Sequence, residues 1–207
     1  IREYQSYPVV RRAQHRVLDR ECLLETVSDD AVWSYGTDET VTIDAHQDSF
    51  PPQFKRFLGE HNISESFVCE LSPGRLVGRS PIGFDDTGRI VLETVENERA
   101  VLADRLREHV RRHGAHRTWR LLSLCGAGDD SADYPDFDVA ISLVHHPSTN
   151  YYHWLLGYVE KVRALERYES ATDRKPTVLV APDPPDWVSE TIALAGVDPS
   201  RTVAWTH

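Results

Sequence analysis

The sequence predicts an α/β protein, and two observations carry the prediction. Between residues 139 and 205, short continuous apolar runs alternate with segments of helical period. Between residues 65 and 95, three strand-like pieces are separated by turn residues. Alternation of the first kind calls for a parallel sheet with crossover helices, so the later part is expected to be a Rossmann-like half. The earlier pattern is expected to be an antiparallel β-hairpin meander. The resulting division is an N-terminal arm of mixed character over 1–64, a meander plus helix over 65–118, and the Rossmann-like half over 119–207.

In chain order, the spacing of apolar residues predicts a helix over Pro8 to Leu18 and a strand over Thr40 to Ile43. The runs SFVCEL, GRLVGRS and GRIVLETV follow, parted by Pro73-Gly74 and by Asp85-Asp86-Thr87-Gly88, which read as hairpin turns. Asn97 to His113 forms the next helix, with Val101, Leu102, Leu106 and Val110 on one face and Arg111, Arg112 and His113 in its last turn, where cations complement the dipole. Gly114 stops it. After the apolar run Arg120 to Cys125 and an acidic loop, the order is strand Val139 to Val144, helix Asn150 to Glu169, strand Thr177 to Ala181, helix Trp187 to Ala195 and strand Thr202 to Trp205.

Composition limits the functional classes. The 207 residues carry 33 acidic against 23 basic side chains, a net charge of -10, which disfavours a nucleic acid as partner because that binding depends on clustered cations. Cys22, Cys69 and Cys125 are far apart and never paired as CxxC, so neither a disulfide framework nor a zinc knuckle is expected. A cytoplasmic setting fits, peripheral at a membrane if it meets one. No apolar run approaches the ~18 residues that span a bilayer. Lys55, Lys161 and Lys175 are the lysines, and such an acidic, lysine-poor surface suits a high-salt, halophilic cytoplasm or a high-GC genome. A start on Ile1 with no methionine suggests a piece of a longer protein.

Chemistry concentrates where the apolar strand VAISLV runs into HHPSTN and then YYHWLLGYVEK. In open α/β sheets, ligands bind at the carboxyl ends of the strands. Ser148, Thr149 and Asn150 can each cap the helix, with Asn150 the expected cap. At 100° per residue Leu155, Val159, Val162 and Tyr158 share the core arc. His153 lies almost opposite, on a stripe with Gly157, Glu160 and Ala164. An imidazole there can meet a substrate; the plainer reading is a structural histidine bonded to a loop carbonyl.

Other motifs weigh less. Asp86-Thr87-Gly88 matches the aspartic-protease signature but reads better as a hairpin turn. Asp136-Phe137-Asp138 copies a metal-holding DxD but precedes its strand. His109, His113 and His116 have ligand spacing, which the helix dipole explains more simply. No Gly-rich phosphate loop, nucleophile elbow or P-loop lysine is present.

The strings ISLV, NYYHWLL, VRALERY and PTVLVAPDPPDWVSETIALAGV, with GRLVGRSPIGFDDTGRIVLET before them, resemble the N-terminal half of glycosyltransferase family 61, in which Asn-Tyr-x-His-Trp-Leu opens a helix. The resemblance covers roughly Leu71 to His207. It implies an enzyme of GT-B architecture, with two Rossmann-like domains, moving a sugar from a nucleotide-sugar donor to a hydroxyl of a glycan or lipid-linked acceptor with inversion, in surface polysaccharide or glycan assembly. This chain would be the acceptor-side domain, with His153 as catalytic base, Asn150, Tyr151 and Tyr152 as acceptor contacts, and no metal and no cofactor beyond the nucleotide sugar. Where the family commonly carries an acidic residue four positions after the histidine, this chain has Gly157, with Glu160 one turn further along as the nearest substitute. The C-terminal nucleotide-sugar domain has no counterpart here, so the isolated chain is expected to be inactive. Two rival readings are a metal-dependent hydrolase built on His145, His146 and His153, and a non-catalytic carbohydrate-binding remnant.

Overall fold

The computed structural model describes residues 2–44, 52–95, 99–124, 135–144 and 150–206. The chain is mixed α/β, with several small sheets, one of them parallel and three-stranded. The elements are α1 (Arg2–Gln14), β1 (Val17–Leu18), α2 (Arg20–Thr26), β2 (Val32–Ser34), β3 (Glu39–Ile43), β4 (Gly59–Ile63), β5 (Phe67–Cys69), β6 (Arg75–Val77), β7 (Ile82–Phe84) and β8 (Ile90–Val91). They continue as α3 (Arg99–His113), α4 (Ala115–Leu124), β9 (Ala140–Ser142), α5 (Tyr151–His153), α6 (Lys161–Thr172), β10 (Thr177–Val180), α7 (Asp186–Leu194) and β11 (Thr202–Ala204). Among the described residues, no helix is long and apolar enough to cross a membrane.

The parallel sheet has the order β11-β10-β9, with Val178 opposite both Ile141 and Thr202. The period of two along β10 divides its burial: Val178 and Val180 face Leu143, Trp154, Val162, Val188 and Ile192, while Leu179 faces Val144 and Trp205. The helices thus cover one face of the sheet. The other is closed by Leu76 of β6 and Phe137, with the Trp205 indole donating to the Gly78 carbonyl at 2.8 Å.

The N-terminal half differs from its sequence reading in four respects. The first helix spans Arg2–Gln14 with Pro8 inside it, and Val17–Leu18 has become a strand that pairs parallel with β8. The meander is β6-β7-β8, its central strand lying in SPIGF, which Pro81 and Gly83 disguise as loop. The SFVCEL strand leaves the meander, because β5 pairs with the distant β2 (Trp33 opposite Val68). The apolar run at 120–124 belongs to α4, whose Leu122 packs with α1 and α3 around Val9, Leu102, Leu106 and Phe84. Gly114, with φ +84°, makes the left-handed stop between α3 and α4.

The Asp85-Asp86-Thr87-Gly88 turn joins β7 to β8. Asp85 is 4% exposed, and its carboxylate accepts from the Thr87 and Arg89 backbone N–H groups, the Thr87 hydroxyl and the Arg89 side chain. These bonds make it a structural turn.

A polar joint fixes β5 to the parallel half. Glu70 receives Arg174 at 2.7 and 2.8 Å and the Tyr168 hydroxyl at 2.6 Å, while Tyr168 meets Trp33 edge-on at 5.2 Å. Burial raises the Glu70 carboxyl, and the Tyr168 and Arg174 hydrogen bonds overcome it, leaving the group below its ordinary value. A depressed carboxylate contributes stability that is complete above pH about 4.3 and is lost as pH falls through the folded value. Glu70→Gln is therefore expected to cost about 1–2 kcal/mol at pH 7, allowing for solvent screening at the partly exposed Arg174. It should also flatten the acid limb of stability, as read from urea melts between pH 7 and 3.

Candidate functional site

The carboxyl edge of the parallel sheet leads into the start of α5. Asn150 has an extended backbone (φ -95°, ψ 102°) and its side-chain oxygen accepts from His153 N at 3.3 Å, so it is the cap expected from the sequence. Tyr151 and Tyr152 are 50% and 67% exposed, and His153 is exposed beside them, its ring edge-on to Tyr152 at 5.6 Å.

The helix then departs from α geometry. Trp154–Tyr158 is a π turn closed by Val159 N donating to the Trp154 carbonyl at 3.0 Å, an i to i+5 bond. The extra residue rotates everything beyond it by about 100° relative to an uninterrupted α-helix. Of the expected core arc, Tyr158 and Val162 are buried and Val159 packs half-buried against them, whereas Leu155 is corrected to the surface, 39% exposed beside Leu156 at 55%. Trp154 and Leu165 join the buried side, as does Ala164, assigned to the His153 stripe. Gly157 and Glu160 are exposed, and no atom lies within 4 Å of where a Gly157 side chain would begin.

Trp154 anchors the turn. Its indole N–H donates to Thr191 Oγ1 at 2.8 Å, and that hydroxyl donates back to its own helix at the Trp187 carbonyl, 2.7 Å away. Trp187 lies 6.0 Å from Trp154 and receives Tyr151 edge-on at 5.3 Å. Because α7 follows β10 as α5 follows β9, both helices begin at the same sheet edge, and this aromatic contact joins them. Asp183, in the loop between β10 and α7, holds a left-handed φ of 48°. Sequence reasoning passed over Trp187 and Thr191. The available signal was PDPPDW, an aromatic residue opening the next helix at the same edge.

Two small cavities, of ≈ 10 and ≈ 40 Å³, lie elsewhere; one is lined by Arg12, Arg16, Trp119 and Leu122, the other by Val180, Ile192, Pro199 and Thr202. Both fall far below the roughly 300 Å³ at which ligand pockets begin. The His153 region, as described, is an open aromatic surface. His145 and His146 lie outside the described residues, and among those described no group of three or more His, Cys, Asp or Glu side chains is arranged to hold a metal. His109 instead pairs with the buried Thr118 hydroxyl at 2.8 Å, and burial lowers its affinity for a proton. The Cys69 thiol, pushed up to about 11 by burial and then by Glu93, stays protonated at neutral pH and is a poor nucleophile.

No family model, curated protein or solved structure matches the chain.

Two substitutions separate anchoring from exposure at this turn. Thr191→Val keeps the shape but leaves the Trp154 indole N–H buried without its acceptor, an expected loss of about 1–3 kcal/mol in denaturant melts. Gly157→Ala places a methyl group in open space within a helix, and should raise stability by about 0.5–1 kcal/mol in the same assay.

Proposed function

We propose that this chain is the acceptor-side, Rossmann-like domain of an inverting glycosyltransferase of GT-B architecture, working in the cytoplasm or peripherally at its membrane. One observation carries the reading: an exposed imidazole, beside the exposed Tyr151 and Tyr152 on a capped first turn, stands at the carboxyl edge of a parallel sheet. The family 61 resemblance of NYYHWLL supplies the reaction. The His153 imidazole takes the proton of the acceptor hydroxyl as that oxygen bonds to the anomeric carbon, and the bond from that carbon to the donor diphosphate breaks. Tyr151 and Tyr152 offer faces on which a pyranose ring can stack, with Asn150 and Glu160 as polar contacts on either side. The donor is a nucleotide sugar, the acceptor a glycan or lipid-linked glycan, and the nucleotide-sugar domain comes from outside this chain.

A second reading, a carbohydrate-binding module without catalysis, is favoured by Gly157, which leaves the histidine's stripe without a carboxylate at the expected place. The two readings part in one experiment, run with the protein joined to its nucleotide-sugar domain. Under the transferase reading, His153→Ala should lower sugar transfer by about 10²–10⁴-fold while circular dichroism is unchanged. Tyr152→Ala should chiefly raise the acceptor KM. Undiminished turnover in His153→Ala rules out the base assignment. Saccharide binding that depends on Tyr152, with no transfer by the unaltered protein, establishes the binding module.

A further inference from the structure

Strands β3 and β4 pair with each other and, among the described residues, with no other strand, and none of their residues is buried. A lone two-stranded sheet is marginal in water, and sheets persist by covering an apolar face. The register supplies such a face. Directly opposed residues point the same way, so the pairs Glu39–Ile63, Val41–His61 and Ile43–Gly59 share one side, and Thr40–Asn62 and Thr42–Glu60 the other. The His61 ring nitrogen Nε2 donates to the Phe57 carbonyl at 2.8 Å, which brings the 3₁₀ turn Pro52–Phe57 to the apolar side. Val41, Ile43 and Ile63 on this side, and Phe54 and Phe57 on the turn, are each 38–52% exposed. Exposed apolar side chains gathered on one side of a sheet and on the turn bonded to it mark an interaction surface.

Its charges identify the occupant. Glu39 stands beside Ile63 at one end of the face; Lys55 and Arg56 stand on the turn that enters β4 at the other end, the Arg56 guanidinium 4.7 Å over the Phe57 ring. The two ends are about 13 Å apart along the strands. A patch that is acidic at one end, apolar in the middle and basic at the other is its own complement under a two-fold rotation. Gly59 adds a steric fit, since no atom lies within 4 Å of where its side chain would begin, leaving room beside Ile43 for an apolar group.

We propose that this hairpin face is a homodimer interface. A second copy of the chain packs on it about a two-fold axis near Val41, so that Glu39 of each copy meets Lys55 and Arg56 of the other and Ile63 of each lies over Gly59 of the other. The proposal is independent of the glycosyltransferase reading.

Sedimentation velocity over concentrations up to about 100 μM tests it, a range that detects any dimer tighter than roughly −5.5 kcal/mol. The unaltered chain is expected to dimerise with rising concentration and Ile63→Lys to remain a monomer. Val41→Thr with Ile43→Thr keeps the β-branched character that holds the strand, so it should also give monomer even where Ile63→Lys perturbs the hairpin. Glu39→Lys should weaken the dimer at least tenfold, and adding Lys55→Glu and Arg56→Glu should restore it. A chain that is monomeric throughout, a dimer that survives both apolar variants, or a charge-swapped triple variant that stays dissociated would overturn the proposal.

Discussion

The geometry of the candidate site depends on burying one indole without stranding its N–H. Trp154 is 3% exposed, too large to be displaced by small rearrangements, and its nitrogen finds a single side-chain oxygen, Thr191 Oγ1, on the neighbouring helix. That bond sets α5 against α7 at the edge of the sheet. Tyr158 lies nearly parallel to the Trp154 ring at 6.3 Å, one π turn later, and continues the buried stripe into Val162 and Leu165. With the inward positions fixed at Trp154 and Tyr158, the residues before and between them are turned outward. Tyr151, Tyr152, His153, Leu155 and Leu156 are exposed for that reason.

The strongest patterns in the sequence were those in which local chemistry and tertiary burial agree. Val139 to Val144 and Thr177 to Ala181 read as buried strands because nearly every position is apolar, and β9 and β10 lie within them. Asn150 was legible as a cap because the competing demand on its side chain is only the local N–H of His153. The Asp85 turn was legible for a similar reason, its partners all lying within four residues. The β2–β5 pairing had no local signature, since its residues are more than 30 positions apart and neither strand exceeds three residues. The π turn was hidden for a different reason: fixed-period analysis assumes 3.6 residues per turn, and one inserted residue breaks the register between the two sides of the turn, so an arc that holds at Tyr158 and Val162 fails at Leu155.

The same distinction applies within the candidate site. His153 stood out in the sequence because it breaks the pattern of small polar or acidic residues at a helix start. Trp187 was missed because its relevance arises only when the second crossover brings α7 beside α5, and its ring meets Tyr151. The aromatic surface is therefore a product of topology: two βα junctions of a parallel sheet open on one edge, and each contributes rings. The exposure of Gly157 beside this surface has its own physical consequence. A side chain there would stand in open space, so the glycine is not required by packing and is held at some cost in helix propensity.

The two-stranded sheets of the first half show what determines whether a small sheet is secured within the chain. The β2–β5 pair is held by α6 through three chemically different contacts: Arg167 donates to the Ser34 carbonyl at 2.9 Å, Tyr168 meets the Trp33 ring, and Glu70 just beyond β5 binds both Tyr168 and Arg174. These contacts also orient α6, and with it the π turn and His153 at its start, so a strand pair remote in sequence takes part in positioning the candidate site. The β3–β4 pair has a longer ladder, with five opposed residues on each strand, yet none of its side chains reaches a buried cluster. Ladder length is thus not what separates the two. The difference lies in whether a helix face is available to cover the apolar side: β2–β5 has the polar and aromatic flank of α6, whereas β3–β4 keeps Val41, Ile43 and Ile63 toward solvent. A sheet whose ladder is fully formed between its two strands but whose apolar face is exposed has its remaining stabilisation available to intermolecular contact, and the opposed charges at the two ends of that face favour a second copy of the same surface.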